Sequence, residues 1–155
     1  IISIPAAEAA RLVPLLEELH AVHAAHQPAR HRANPSEAEL ESWLAKMLEQ
    51  PGIHALGAES PSGTLLGYLL FSVENRPALP VRAAETRMML EHIAVQKAWQ
   101  RMGVGKALIE TMKTRAAEDG VDVIAASYAP FNSASAALMA SQGLEPVLVT
   151  AEARF

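Results

Sequence analysis

Ile93-Ala94-Val95-Gln96-Lys97-Ala98-Trp99-Gln100-Arg101-Met102-Gly103-Val104-Gly105-Lys106-Ala107-Leu108 is the stretch on which the fold turns. Met88 to Val95 is apolar and rich in β-formers, as a strand requires. From Val104 to about Glu118, Ala107, Leu108, Thr111, Met112 and Ala116 recur at helical spacing. A strand therefore feeds a helix through a Gly-x-Gly loop. The first-turn amides of a helix lack internal partners and sit at the positive end of its dipole, and glycine lets an anion approach the backbone without a Cβ in the way. Lys97, Arg101 and Lys106 add positive charge, and no acidic residue lies between Lys97 and Lys106. A pyrophosphate suits such a loop, although an ordinary glycine turn opening a helix accounts equally well for the glycine pair taken alone.

Two nucleotide motifs fail on residue identity. A P-loop needs glycine where Gln100 stands and a hydroxyl where Ala107 stands. A dinucleotide fingerprint needs a third glycine at Leu108.

Outward from this stretch, the pattern alternates strands and helices. Ile1 to Ile4 is a short β-rich run. Ala6 to about His26 carries Leu12, Leu15, Leu16, Leu19 and Val22 on one helical face, with Pro14 expected to kink it. Gln27 to Pro35 is a loop holding Arg30, His31 and Arg32. Ser36-x-x-Glu39 is a capping box opening a helix through Leu40, Trp43, Leu44, Met47 and Leu48. Strands at about Ile53 to Ala58 and Leu65 to Val73 flank the turn residues Ser60-Pro61-Ser62-Gly63, as in an antiparallel hairpin. Downstream, Gly120 suits a helix C-cap, Val121 to Tyr128 is a strand, Asn132 caps a helix to about Ser141, and Val147 to Val149 is a last short strand.

Residues 1–155 are expected to form a single domain, since domains usually run to about 100–200 residues. Half the residues are apolar and 19% are charged, enough to bury a core. Thirteen Lys plus Arg against seventeen Asp plus Glu give a net charge of -4, which disfavours nucleic acid as a partner. No apolar run approaches the roughly 20 residues of a membrane span, so no membrane partner is expected. The absence of cysteine excludes thiolate metal sites and a cysteine nucleophile, and makes the cytoplasm the default compartment. The chain opens on Ile1 without a methionine and without a basic segment leading into an apolar run, so it reads as trimmed and lacking a signal peptide.

Gln100-x-x-Gly103-x-Gly105, preceded by Trp99 and by the strand carrying Glu91 and Ile93-Ala94-Val95, resembles the acetyl-CoA motif of the GNAT superfamily of N-acetyltransferases. Downstream, Asn132, Ser135, Ala136, Leu138 and Gly143-Leu144 are similar to the family's Asn-x-x-Ala-x-x-(aromatic)-Tyr-x-x-x-Gly-Phe block at matching spacing. The resemblance implies a mixed, largely antiparallel, splayed α/β sheet in the order β1-α1-α2-β2-β3-β4-α3-β5-α4-β6. Only twelve residues follow Gly143, so the family's seventh strand is either absent, very short or supplied by a partner chain, as in a homodimer.

The resemblance further implies that acetyl-CoA is the co-substrate, with its pyrophosphate on Arg101, Met102, Gly103, Val104, Gly105 and Lys106 and Gln100 at the entrance. Its pantetheine arm would run along Ile93, Ala94 and Val95 and past Asn132 and Ser135. Asn132 either bonds that arm, caps its helix, or does both. The acceptor would be a small-molecule or peptide amine, bordered by the loop between the first two helices, which makes His26, Arg30 and His31 candidate substrate contacts alongside His23 and Arg32. A plain solvated loop explains these residues equally well.

Acetyl transfer needs a deprotonated amine and an acid for the leaving thiolate. Glu91 is the candidate base: strand alternation would put it on the face of Ile93, with His92 on the other. An ordinary surface ion pair would explain it equally. The family's usual acid is a tyrosine at the position of Met139, and a thioether cannot donate a proton. Tyr128 is the nearest alternative, either as the acid or merely as a packed aromatic, and water is the other donor. The repeat His20, His23, His26 has no carboxylate between its members, so no metal is expected. The reaction implied is direct transfer within a ternary complex. The alternatives are an acyl-CoA-binding module without efficient transfer, motivated by Met139, and a purely structural protein that binds no CoA.

Overall fold

A computed structural model describes every residue from 1 to 155. The chain order is β1 (Ile2–Ser3), a 3-10 segment (Ala6–Leu12), α1 (Val13–His26), α2 (Glu37–Leu48), β2 (Ile53–Glu59), β3 (Leu65–Arg76), β4 (Glu85–Val95), a 3-10 turn (Lys97–Trp99), α3 (Val104–Glu118), β5 (Val123–Ala126) and α4 (Ser133–Ser141). One mixed sheet runs β1-β2-β3-β4-β5. All neighbours are antiparallel except β4 and β5, whose parallel pairing follows from the α3 crossover between them.

Both faces of the sheet are covered. On β3, Tyr68 and Leu70 join Leu12, Leu16 and Leu44 under α1 and α2. Leu69 and Phe71 turn to the other face, with Leu108, Met112 and Met139 under α3 and α4. Two-sided burial explains why Leu65 to Phe71 lacks the polar alternation of a half-exposed strand.

The capping box closes as expected: the Glu39 N–H donates to Ser36 Oγ (3.2 Å) and the Ser36 N–H donates to Glu39 Oε2 (2.8 Å). Three expectations are corrected. Pro14 does not kink one long helix. It sits in the first turn of α1, where its missing N–H costs nothing, and the residues before it form the separate 3-10 segment. The β3–β4 hairpin is longer than its apolar pattern, pairing out to Arg76↔Glu85. Its end is held by polar cross-strand pairs, Arg76 with Glu85 (3.9 Å) and Thr86 Oγ1–H to Asn75 Oδ1 (3.0 Å).

The third correction is the closing strand. Val147, Leu148 and Val149 are 95%, 84% and 87% exposed and pair with nothing, so the sheet has five strands, with neither the sixth nor a seventh. The tail leaves α4 at Gly143 (φ 79°), and Glu152 pairs with Arg30 beyond the end of α1. β-propensity alone does not make a strand without a neighbour to pair with.

Candidate active site

The sheet opens along β4. Arg87 to Leu90 pair with Val123 to Ala126, and the pairing with β5 ends there. β4 continues to Val95 with β3 alone on its other side, so Glu91 to Val95 present an unpaired edge. The Val95 carbonyl on that stretch accepts a hydrogen bond from Gln100 Nε2 (3.1 Å), tying the strand end to the start of the loop.

The loop turns through two left-handed residues, Arg101 (φ 61°) and Gly103 (φ 86°), the latter capping α3. The first backbone amide of this region with a partner in the chain is that of Ala107, which donates to Gly103 O (2.9 Å). The N–H groups of Arg101 through Lys106 have none, and they sit at the positive end of a fifteen-residue helix. A Cβ built on Gly103 would meet no atom within 4 Å, so the space beside that residue is open. Lys106 is drawn toward Glu110 (3.6 Å), whereas Lys97 and Arg101 have no acidic partner. Gly105 differs from Gly103: a Cβ there would lie 3.1 Å from the Leu138 side chain, so its role is to let α3 pack close to α4.

Beside the opening, a β-bulge reorders β4. Leu70 pairs with His92 and Phe71 with Leu90, leaving Glu91 as the extra residue. The expected alternation is thereby broken. Ser72, buried on the face of Tyr68 and Leu70, donates through Oγ to Glu91 Oε1 (2.7 Å). His92 lies on that same α1/α2 face, its ring 5.5 Å from Trp43 and its Nδ1 3.5 Å from the Tyr68 hydroxyl. Ile93 turns the other way, toward α3. Glu91 thus shares its face with His92, not with Ile93. Burial, and secondarily the charge of nearby His23, push the His92 pKa below its usual value, and burial pushes that of Tyr68 up.

The imidazoles of α1 form a separate cluster with His31 and Phe131. His23 and His26 each donate Nδ1–H to the carbonyl four residues back, Leu19 and Val22 (both 2.9 Å), leaving Nε2 outward. His26 stacks on Phe131 at 4.1 Å, and His23 lies 5.5 Å from both Phe131 and His31. His31 has its pKa lowered, by burial first and then by His23, His20 and Arg30. Arg30 is paired with Glu152, and Arg32 with Glu39 (2.9 Å). On the opposite bank, the Asn132 side chain accepts from the Ser135 N–H (3.0 Å), capping α4. Tyr128 is 36% exposed and its hydroxyl bonds to nothing in the chain, whereas Met139 is 1% exposed within the α3 core.

A family model, the acetyltransferase (GNAT) family, matches residues 16–144. The chain belongs to the GNAT acetyltransferase family. It is an acyltransferase, and its splayed five-stranded sheet is that family's fold. A tetramutant of the BH1408 protein from Bacillus halodurans is 15% identical with a TM-score of 0.90, covering 99% of this chain and 98% of that one. A ribosomal-protein-alanine N-acetyltransferase from Brucella melitensis biovar Abortus 2308 is 19% identical with a TM-score of 0.75, covering 99% and 98%. The aminoglycoside N-acetyltransferase AAC(6')-Iy, in complex with CoA, is 16% identical with a TM-score of 0.75, covering 99% and 91%. No curated protein sequence matches the chain.

Within this GNAT domain, the structure places Glu91 on the unpaired stretch of β4 that leads to the loop, Tyr128 just beyond β5, and His26 and His31 in one cluster with His23 and Phe131, next to the helix cap Asn132. It also brings in Ser72, Trp43 and Phe131, which the sequence reading did not assign to the site. Ser72 was hidden in an apolar strand, where a lone hydroxyl is the available signal. Trp43 passed as core on its helical spacing, and its 45% exposure is what separates it from Leu40 and Leu44.

Proposed function

We propose that this chain transfers the acetyl group of acetyl-CoA directly to a primary amine within a ternary complex. The observation that carries the reading is the row of unpartnered amides from Arg101 to Lys106 at the end of an unpaired strand edge. The open space beside Gly103, the helix dipole and the free charges of Lys97 and Arg101 fit a pyrophosphate there, with Gln100 at the entrance. Ile93, Ala94 and Val95 would accompany the pantetheine arm by their backbone, and Asn132 Nδ2, which its capping role leaves free, would meet it from the other side with Ser135 nearby.

When bound, acetyl-CoA supplies a thioester carbonyl open to attack. The chain's own part is to deliver the amine without its proton. Glu91, fixed by Ser72 on the α1/α2 face, has no cationic partner, so its carboxylate is available to bind an ammonium and take the proton as the amine attacks. Tyr128, exposed and unbonded, is the side chain that could protonate the departing thiolate, whereas Met139 is a thioether with no proton to give. The lack of a phenol at that position also supports the second reading, a module that binds acyl-CoA without efficient transfer. The same architecture would serve in the cytoplasm as a homodimer, with the bare outer edge of β5 and the exposed Val147–Val149 segment as the elements two copies could pair.

Thiol release from acetyl-CoA, followed with a panel of amines, tests the reading. Glu91→Gln should lower turnover about 10²- to 10⁴-fold with CoA affinity intact. Unchanged turnover in that variant would remove Glu91 as the base, and CoA binding with no turnover on any amine would favour the second reading.

A further inference from the structure

His92 is a half-buried titratable group to which the reaction above gives no part. It lies on the stretch of β4 that has left β5, on the face covered by α1 and α2, with its ring 5.5 Å from that of the exposed Trp43. Its Nδ1 is 3.5 Å from the Tyr68 hydroxyl, and its Nε2 has no partner in the chain. Every buried side-chain nitrogen and oxygen of the protein does have a partner, so Nε2 is not among the buried atoms and opens to solvent.

The Tyr68 hydroxyl decides where this imidazole carries its proton. Tyr68 is fully buried, which raises its pKa and keeps the phenol protonated. His92 Nδ1 is the one atom of the chain within hydrogen-bond distance of that hydroxyl. A buried O–H without an acceptor is costly, so the phenol donates and Nδ1 accepts. A neutral imidazole has a single N–H, which is then on Nε2. Burial also lowers the His92 pKa, which favours this neutral form. An Nε2–H is a donor and takes no proton from an amine, so the arrangement leaves the base role to Glu91 and gives His92 another.

We propose that His92 is a specificity-determining residue whose Nε2–H donates a hydrogen bond to a carbonyl-type oxygen of the acceptor amine, with Tyr68 as the positioning residue that fixes the tautomer. The proposal rests on the acetyl-transfer reading above and names the acceptor's class: an amine that bears an amide or carboxylate oxygen, rather than a bare alkyl amine.

Two measurements test it. The first reads the tautomer from the side-chain ¹⁵N shifts of His92 at pH 8, where imidazoles are neutral by their ordinary values. Nε2 should be protonated and Nδ1 bare, and Tyr68→Phe, which removes only the hydroxyl, should admit the other tautomer. A protonated Nδ1 in the wild type overturns the proposal, as does a tautomer balance that Tyr68→Phe leaves untouched.

The second compares glycinamide, glycine and isobutylamine, which share one heavy-atom skeleton and differ in their terminal group, with acetyl-CoA saturating. The preference for the better of the two carbonyl amines over isobutylamine, as a ratio of kcat/KM, should fall about tenfold in His92→Phe, the worth of one neutral hydrogen bond. It should recover in His92→Gln, whose side-chain amide donates. Comparing the same ratio between proteins cancels the different basicities of the amines.

Glycinamide ahead of glycine assigns the oxygen to an amide, and the reverse order assigns it to a carboxylate; either keeps the proposal. A ratio that is the same in His92→Phe as in the wild type overturns it. His92→Phe orphans the Tyr68 hydroxyl, so the Tyr68→Phe/His92→Phe pair is measured beside it and should show the same fall even if the single variant folds poorly. Should no amine release thiol, the transfer reading fails, and the His92 Nε2 resonance titrated in the presence of CoA decides the proposal alone. A shift with glycinamide or glycine but not with isobutylamine keeps it, whereas no shift, or equal shifts with all three, overturns it. Thiol release from all three amines with that resonance unmoved would keep the transfer reading and sink this one.

Discussion

Replacing Gly103 probes the anion cradle with the fewest side effects. The residue sits at φ 86°, so any L side chain pays for a left-handed conformation, about 1–2 kcal/mol. No atom lies within 4 Å of a Cβ built there, so no steric clash adds to that cost. Gly103→Ala and Gly103→Asp therefore share the same conformational penalty in folding and differ in a carboxylate facing the row of amides. A unit charge about 4 Å from a phosphate charge is worth about 4 kcal/mol at an effective dielectric of 20. The loop is open to solvent, and halving that figure leaves about 2 kcal/mol, or roughly 30-fold in affinity. Calorimetric titration with CoA should give Gly103→Asp a dissociation constant about 30-fold above that of Gly103→Ala, with the two variants melting at similar temperatures. Equal CoA affinities for the two would refute the placement of pyrophosphate on this loop.

Other predictions use the same logic elsewhere in the site. Ser72→Ala removes the hydroxyl that holds Glu91. With the amine turned over fastest, kcat should fall about tenfold in the wild-type background and by less than about twofold in Glu91→Gln, because the two residues act as one unit; equal losses in both backgrounds would mark Ser72 as merely structural. Tyr128→Phe should cost turnover about 10²-fold with CoA affinity intact, whereas Met139→Leu, buried away from the cleft, should change it by only a few-fold; the reverse pattern would reject the assignment of the acid. His92 has its pKa lowered on folding, so the stability it confers is complete above the usual histidine value and is lost as pH falls from there through the folded value. Thermal melts should therefore drop below about pH 6.5 and drop less in His92→Gln, and identical pH profiles would remove His92 as a cause.

Much of the fold was legible because its signals are local. The capping box at Ser36 and Glu39, the turn around Gly63 and the loop from Gln100 to Gly105 each act within a few residues. What the sequence concealed depends on pairing between distant segments. The bulge at Glu91 is a property of the β3–β4 register, and period-two counting along β4 necessarily put Glu91 on the wrong face relative to His92. Val147 to Val149 have strand-like side chains, but an edge within reach, which no local pattern encodes, decides whether they pair. The two glycines of the loop look alike in sequence; the left-handed φ of Gly103 and the approach of Leu138 to Gly105 separate a cradle position from a packing position. The loop arginines read as candidate substrate contacts, and only the fold shows Glu152 and Glu39 beside them.

Titrating acetyl-CoA into uniformly ¹⁵N-labelled protein while following the backbone amides bears most directly on the central claim. The N–H groups of Arg101 to Lys106, which have no partner within the chain, should shift downfield as they acquire phosphate acceptors and should saturate together with the amides of Ile93 to Val95. Saturable binding that leaves Arg101 to Lys106 unmoved, with the largest shifts in another part of the sheet, would contradict the account.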